Sequence, residues 1–201
     1  WQKKGNYMVF FPSYRLMEDV HAVYQNEFAA RWVQCICQTS SMNEREREEF
    51  LMEFTEEKKE TLLGFCVMGG IFSEGIDLMG DRLIGVAVVG TGLPMVSGER
   101  EILKQYFDQK GENGFDYAYR YPGINKVLQS AGRVIRTKED RGTILLMDDR
   151  FLDRDYRNLF PREWSDLQIC SLETVEIQLK EFWISVEGMD YNKKENKQEN
   201  H

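Results

Sequence analysis

Hydrophobic positions along the chain fall into two alternating periods. Short, nearly continuous apolar runs occupy residues 7–11, 32–38, 62–68, 83–89 and 143–147. Runs of that length and composition predict strands buried on both faces of a parallel sheet. Residues 167–170 read as one more short strand. Between these runs the period changes to that of a helix. Leu16, Met17, Val20, Val23, Tyr24 and Phe28 predict a helix over 15–30. Ser41 and Glu44 predict a capping box opening an acidic helix to about residue 57, with Phe50, Leu51 and Phe54 inward. Further helices are expected over 99–107 and 124–136, separated by the glycine-bearing stretch 111–114 and the aromatic segment 115–121.

Alternation of strand and helix implies an α/β, three-layer α/β/α fold with a mainly parallel central sheet. One domain is expected over residues 1–187. Residues 188–201 are Lys/Asn/Glu-rich and are expected to form a disordered tail. In open α/β sheets ligands bind beyond the carboxyl ends of the strands. The punctuated stretches 12–14, 39–41, 69–77, 91–94 and 148–151 each directly follow a strand, so they are expected along one working edge.

Composition narrows the classes of function. The 201 residues suit a single core, and the start at Trp1, mid-pattern, predicts a piece excised from a longer protein. No apolar run approaches a membrane span, and the expected setting is cytoplasmic and monomeric, without membrane contact. A net charge of −8 weighs against a surface coated for sequence-independent DNA binding. It leaves room for a grip made by hydroxyls, backbone N–H groups and a few local cations. The four cysteines, Cys35, Cys37, Cys66 and Cys170, form no CxxC, and only His21 and His201 could add imidazole. No metal or iron–sulfur site is therefore expected in this chain, and the cysteines read as reduced and buried. Cys35 and Cys37, two apart in a strand, are expected on opposite faces.

Two segments carry the sharpest candidate chemistry. In the predicted helix 124–136, Gln129, Arg133 and Arg136 stand at i, i+4 and i+7 and would form one polar stripe. Val127, Leu128, Ala131, Val134 and Ile135 would face the core. Two guanidiniums and an amide on a rigid helix suit a phosphate, because the planar fork bonds oxygens bidentately. Ion pairing of both arginines with Glu139 or Asp140 fits the stripe equally well. The second segment, Gly69-Gly70-Ile71-Phe72-Ser73-Glu74-Gly75-Ile76-Asp77, combines tight backbone geometry with a hydroxyl and two carboxylates. Read alone, it is first a strand-to-helix turn with a capping serine. Tyr117, Tyr119, Arg120 and Tyr121 could stack on bases, although packing before a buried helix is the more ordinary use of such aromatics. The chain has no GxxxxGK[S/T] phosphate loop and no Asp-Glu pair of the Walker-B kind for magnesium at the end of a strand, Asp148-Asp149 being the nearest to one and out of order. Arginines without a phosphate loop suggest a domain that completes a site made by something else.

Taken in order, Phe-Phe-Pro-Ser-Tyr at 10–14, the 69–77 segment, Gly-Leu-Pro at 92–94, Gln-Ser-Ala-Gly-Arg-Val-Ile-Arg at 129–136 and Asp-Asp-Arg-Phe at 148–151 resemble the C-terminal helicase domain of DinG/XPD-type superfamily-two helicases. The resemblance spans about residues 5–164 and is nearest the bacterial DinG type. It implies a RecA-like fold, with ATP and Mg²⁺ shared with a first, N-terminal motor domain outside this chain. By the same resemblance Arg133 and Arg136 are arginine fingers and Gln129 a γ-phosphate sensor. Glu74, Gly75 and Asp77 couple nucleotide to DNA. Ser13, Tyr14, Thr39 and Ser73 contact single-stranded DNA. Translocation would run 5′ to 3′, in DNA repair, and any iron–sulfur cluster would belong to the first domain. The competing class is a non-hydrolytic regulatory or interaction module that keeps the fold.

Overall fold

The structure is a computed structural model that describes residues 3–56, 60–72, 78–137 and 140–198, with side chains through residue 188. It divides into two compact units, one of residues 5–160 and one of residues 1–4 with 161–201.

The larger unit is built on five strands: β1 (Asn6–Phe11), β2 (Val33–Cys37), β3 (Thr61–Val67), β4 (Gly85–Val89) and β5 (Thr143–Met147). Their order is β2-β3-β1-β4-β5. Every pairing is parallel, with Val9 of β1 opposite Phe65 of β3 and Ala87 of β4. The helices are α1 (Tyr14–Val23), α2 (Glu44–Met52), α3 (Gly98–Gln109), α4 (Tyr121–Ala131) and the short α5 (Arg154–Arg157). Wide π-type turns extend α1 over Tyr24–Phe28 and precede α4 over Asp116–Arg120.

Strand side chains alternate between two cores, as the two-residue period requires. Met8, Phe10, Leu62 and Cys66 meet Phe50 and Phe54 at α2 and Ile124 and Val127 of α4 on one face. Phe11, Leu63, Phe65 and Val67 meet Met17 of α1 on the other. Helices on both sides of a parallel sheet give the expected three layers. At the amino end of β1 the buried Asn6 amide donates to the carbonyls of Thr55 (2.7 Å) and Arg82 (3.0 Å), closing that edge with hydrogen bonds.

Four expectations need correction. The capping box of α2 is made by Asn43 and Glu46, not Ser41 and Glu44. Asn43 Oδ1 accepts the Glu46 N–H (3.1 Å) while the Glu46 carboxylate accepts the Asn43 N–H (2.8 Å). Helix α2 then ends at Met52, and Phe54 reaches the core from the turn beyond it. Helix α4 stops at Ala131, five residues short of Arg136. Residues 167–170 are no strand. The Leu167 N–H closes a turn onto Trp164 (3.2 Å), and the Ile169 carbonyl accepts from the Gln178 side chain (3.4 Å).

In the second unit the backbone of α6 (Val175–Gln198) is helical through the polar stretch from Gly188. Lys3 pairs with Glu187 (2.6 Å), and its ammonium lies over the Trp183 ring at 5.6 Å. Among the described residues no helix is long and apolar enough to cross a membrane.

Candidate functional site

Because all five strands are parallel, their carboxyl ends share one edge. Residues 12–14, 39–41, 69–72, 91–94 and 148–151 therefore line that edge together. Ser13 caps α1, its hydroxyl accepting the Leu16 N–H at 3.3 Å. Tyr14 begins the helix, and burial pushes its phenol up. Thr39 is exposed just past β2. Tyr14 is held there by a residue that the sequence did not single out, Gln38, which directly precedes Thr39.

The Gln38 side chain is 2% exposed. Its amide nitrogen donates to the Tyr14 hydroxyl (2.7 Å), and its carbonyl accepts the Val67 N–H at the end of β3 (2.9 Å). One amide thus ties the ends of β2 and β3 to the start of α1. A buried glutamine is costly unless both ends are bonded, and here both are. A second polar position, after Gln34, at the end of a mainly apolar strand was its only trace in sequence.

The loops after β3 and β4 approach α4 at close range. Gly69 and Gly92 both have positive φ (70° and 67°). A β carbon at Gly92 would come within 2.7 Å of the Gly123 carbonyl oxygen, and one at Gly123 within 2.7 Å of the Thr91 carbonyl oxygen. Thr91 is fully buried, and its hydroxyl has no partner among the described residues. Lys126, one turn along α4, lays its side chain across both loops. Its Cδ and Cε stand 3.2 Å from where a β carbon on Gly69 would lie, and its Cβ is 3.5 Å from the corresponding point on Gly92. This places a cation at the edge, and the sequence reading passed it over.

Gln129, Arg133 and Arg136 occupy a different place. Helix α4 runs back from the carboxyl edge. Beyond its end, Val134 is buried against Gly142 and close to Ile84, which directly precede β5 and β4. The arginines therefore lie toward the amino ends of the strands. They do not form a helical stripe. After Ala131 the chain closes two tighter turns, Arg133 N–H to Ser130 (3.4 Å) and Val134 N–H to Ala131 (3.3 Å). Arg133 Nε donates to the Gln129 carbonyl (3.1 Å), so the pair is joined through backbone rather than side chain to side chain. Ile135, expected in the core, is 43% exposed.

The turn that follows is held by Asp140. Its carboxylate accepts the N–H groups of Arg136 (2.9 Å) and Thr137 (2.8 Å). Partial burial raises the Asp140 pKa, but these bonds and one from the Gly80 backbone outweigh it and hold the carboxyl below its ordinary range. The pairing considered for Asp140 is thus met at the backbone of Arg136. Ser73, Glu74, Gly75 and Asp77 lie outside the described residues, as does Glu139. Their segment joins Phe72, past the carboxyl end of β3, to Leu78 and Gly80, near the arginine-bearing turn.

The aromatic segment is engaged in packing. Tyr117 stacks on Phe107 of α3 (3.8 Å between centroids, 6° between planes). Tyr119 is buried and donates to Glu101 (2.6 Å). Arg120 pairs with Asp116 and Asp155. At the end of β5, Asp148 accepts two bonds from the Arg150 guanidinium (2.8 and 2.7 Å), which holds its carboxyl below the ordinary range.

On the other face of the sheet Cys35 and Cys37 point the same way, not oppositely. Strand side chains repeat every two residues, so positions i and i+2 share a face. Both pack under α1, half-buried, while Cys66 is fully buried in the opposite core.

Parallel sheet, loop arrangement and motif order define a RecA-like helicase domain, and comparison with known proteins agrees. The chain belongs to the helicase C-terminal domain family of DinG/XPD type, which it matches over residues 2–166. It is 34% identical over 164 residues to the Regulator of telomere elongation helicase 1 homolog of Aedes aegypti, covering 73% of this chain and 16% of that protein. It is 36% identical over 89 residues to the ATP-dependent DNA helicase DinG of Photobacterium profundum, covering 43% of this chain and 13% of that one. The chain thus spans a small part of the length of the relatives it matches. A solved apo structure of XPD superposes with a TM-score of 0.61 at 22% identity, covering 78% of this chain and 31% of that one, which establishes the shared fold.

Proposed function

We propose that this chain is the second motor domain of an ATP-dependent DNA helicase. ATP and Mg²⁺ would be shared with an N-terminal motor domain, and the carboxyl edge would contact single-stranded DNA, with movement 5′ to 3′. The observation that carries this is the division of polar groups into two sets on a helicase C-terminal fold. Ser13, Tyr14 and Thr39 lie at the carboxyl edge, with Tyr14 bonded to Gln38, while Gln129, Arg133 and Arg136 sit toward the strand starts. The segment containing Ser73, Glu74, Gly75 and Asp77 connects the two in sequence. A motor needs such a division, because the strand it grips and the nucleotide it senses are different ligands.

Phosphoryl transfer depends on positioning and charge neutralisation more than on covalent chemistry by the protein. Arg133 and Arg136 would neutralise charge that grows on the γ-phosphoryl group, and Gln129 would sense its presence. Glu74, Gly75 and Asp77 would relay that state toward Ser73 and the DNA edge. Any iron–sulfur cluster would lie outside this chain.

The test is Arg133→Ala in the full-length protein, with single-turnover ATP hydrolysis and melting temperature measured on one preparation. Turnover should fall by on the order of 10³-fold or more. ATP affinity should fall less, and melting temperature should scarcely change. Arg133→Lys should rescue little, because an ammonium cannot reproduce the fork. Unchanged turnover per folded molecule with a lowered melting temperature would leave the arginine with a structural role, whereas no ATP hydrolysis by the unmutated full-length protein would favour a non-hydrolytic module.

A further inference from the structure

The face of the sheet under α1 holds a group of donors that the motor reading does not use. His21 on α1 and Cys35 and Cys37 on β2 each present one ligand atom, and these atoms all lie within 4.8 Å of one another. All three side chains are half-buried. We propose that His21, Cys35 and Cys37 bind a borderline-soft divalent cation, Zn²⁺ by its chemistry, which clamps α1 onto the edge strand β2.

The donor set selects the metal. Two thiols and an imidazole suit zinc, whereas Mg²⁺ and Ca²⁺ require oxygen ligands. Bonds of about 2.3 Å to sulfur and 2.0 Å to nitrogen around a tetrahedron put donor atoms roughly 3.5–3.8 Å apart. Closing a 4.8 Å cluster to that spacing takes side-chain rotation rather than backbone rearrangement. Among the described residues β2 stands at the end of the sheet and pairs with β3 alone, so small adjustments there disturb one neighbour.

The Cys37 thiol hydrogen-bonds Cys35, so the two sulfur atoms already converge on one face of β2. Metal binding displaces the thiol protons. The fourth position of the tetrahedron would be taken by water. The clamp would join the two elements whose ends present Tyr14 and Gln38.

The metal-stripped, reduced chain would be titrated with Co²⁺, read by absorption, and then with Zn²⁺, read by melting temperature. Expected are one equivalent of Co²⁺ bound with thiolate-to-cobalt charge transfer and tetrahedral d–d bands, their loss on adding Zn²⁺, and a higher melting temperature with Zn²⁺. Cys35→Ser and Cys37→Ser should each weaken binding by on the order of 100-fold or more, since even outer-shell changes at zinc sites cost 10–100-fold. Cys66→Ser and Cys170→Ser should leave the bands unchanged. His21→Gln, at a half-exposed position, keeps the test decisive if a cysteine variant fails to fold: it should remove the d–d bands while melting temperature without metal stays near wild type. Absence of charge-transfer bands in the wild type, or their survival in the Cys35→Ser/Cys37→Ser double variant, would overturn the proposal.

Discussion

Lys126 shows how a single side chain acquires a role from its neighbours rather than from its motif. Its stem lies against two positive-φ glycines, and its ammonium has no ion-pair partner among the described residues. Under the proposed function it would meet a DNA phosphate. Lys126→Ala should then weaken single-stranded DNA binding about equally across sequences and lower the salt slope by roughly one. Fluorescence anisotropy over a salt series checks this, and an unchanged slope would leave Lys126 as loop packing. Asp148 makes a second test at this scale, in pH. Arg150 depresses its folded pKa below the ordinary 3.8. The pair's contribution is therefore complete above that value and is lost as pH falls through the lower folded pKa. Arg150 is 47% exposed, so the gain should be no more than about 1 kcal/mol. Melting temperatures of wild type and Asp148→Asn should differ slightly near neutral pH and converge in acid.

At the scale of elements, the contact between α4 and the loop after β4 depends on having no side chain in it. The backbones of Thr91, Gly92 and Gly123 meet so closely that a β carbon at Gly123 would strike a carbonyl oxygen at 2.7 Å. Backbone cannot yield there as a flexible side chain would. Gly123→Ala should cost about 1–3 kcal/mol, the usual range for overpacking, and urea unfolding should show a lower midpoint with an unchanged slope. Stability equal to wild type would mean that helix and loop separate more easily than their spacing suggests. The termination of α4 has a comparable cause. Helical periodicity alone continues to Arg136, but Gly132 is a weak helix former and Val134 is drawn into the core beside Gly142. Helix α2 shows the reverse case, where the local rule was right and its position slipped. The Asn43–Glu46 pair has the same spacing as the Ser41–Glu44 pair and carries the same reciprocal bonds.

For the whole molecule, the expected behaviour follows from what this chain holds. With no phosphate loop and a net charge of −8, the purified chain should show no ATP turnover above background. Its single-stranded DNA binding should be weak and strongly salt-dependent, because a net charge of −8 opposes phosphate and leaves the attraction to a few local cations. Filter-binding and coupled ATPase assays on the same sample check both; tight, salt-insensitive binding would indicate a self-contained recognition module.

The five strands, the α/β class and the motif order were legible in the sequence because continuous apolar runs, turn residues and short motifs are local properties. Phe50, Phe54, Val127 and Val134 were expected in the core and are buried there. Local pattern could not assign Gln38, Lys126 or the His21–Cys35–Cys37 group, whose partners come from other elements, with Val67 29 residues from Gln38. Nor could it separate the arginines from the carboxyl edge, since a helix period gives the face of a residue but not which end of the sheet it reaches. Those outcomes were decided by the crossovers of a parallel sheet, which return each helix to the strand starts and bring distant residues within bonding distance.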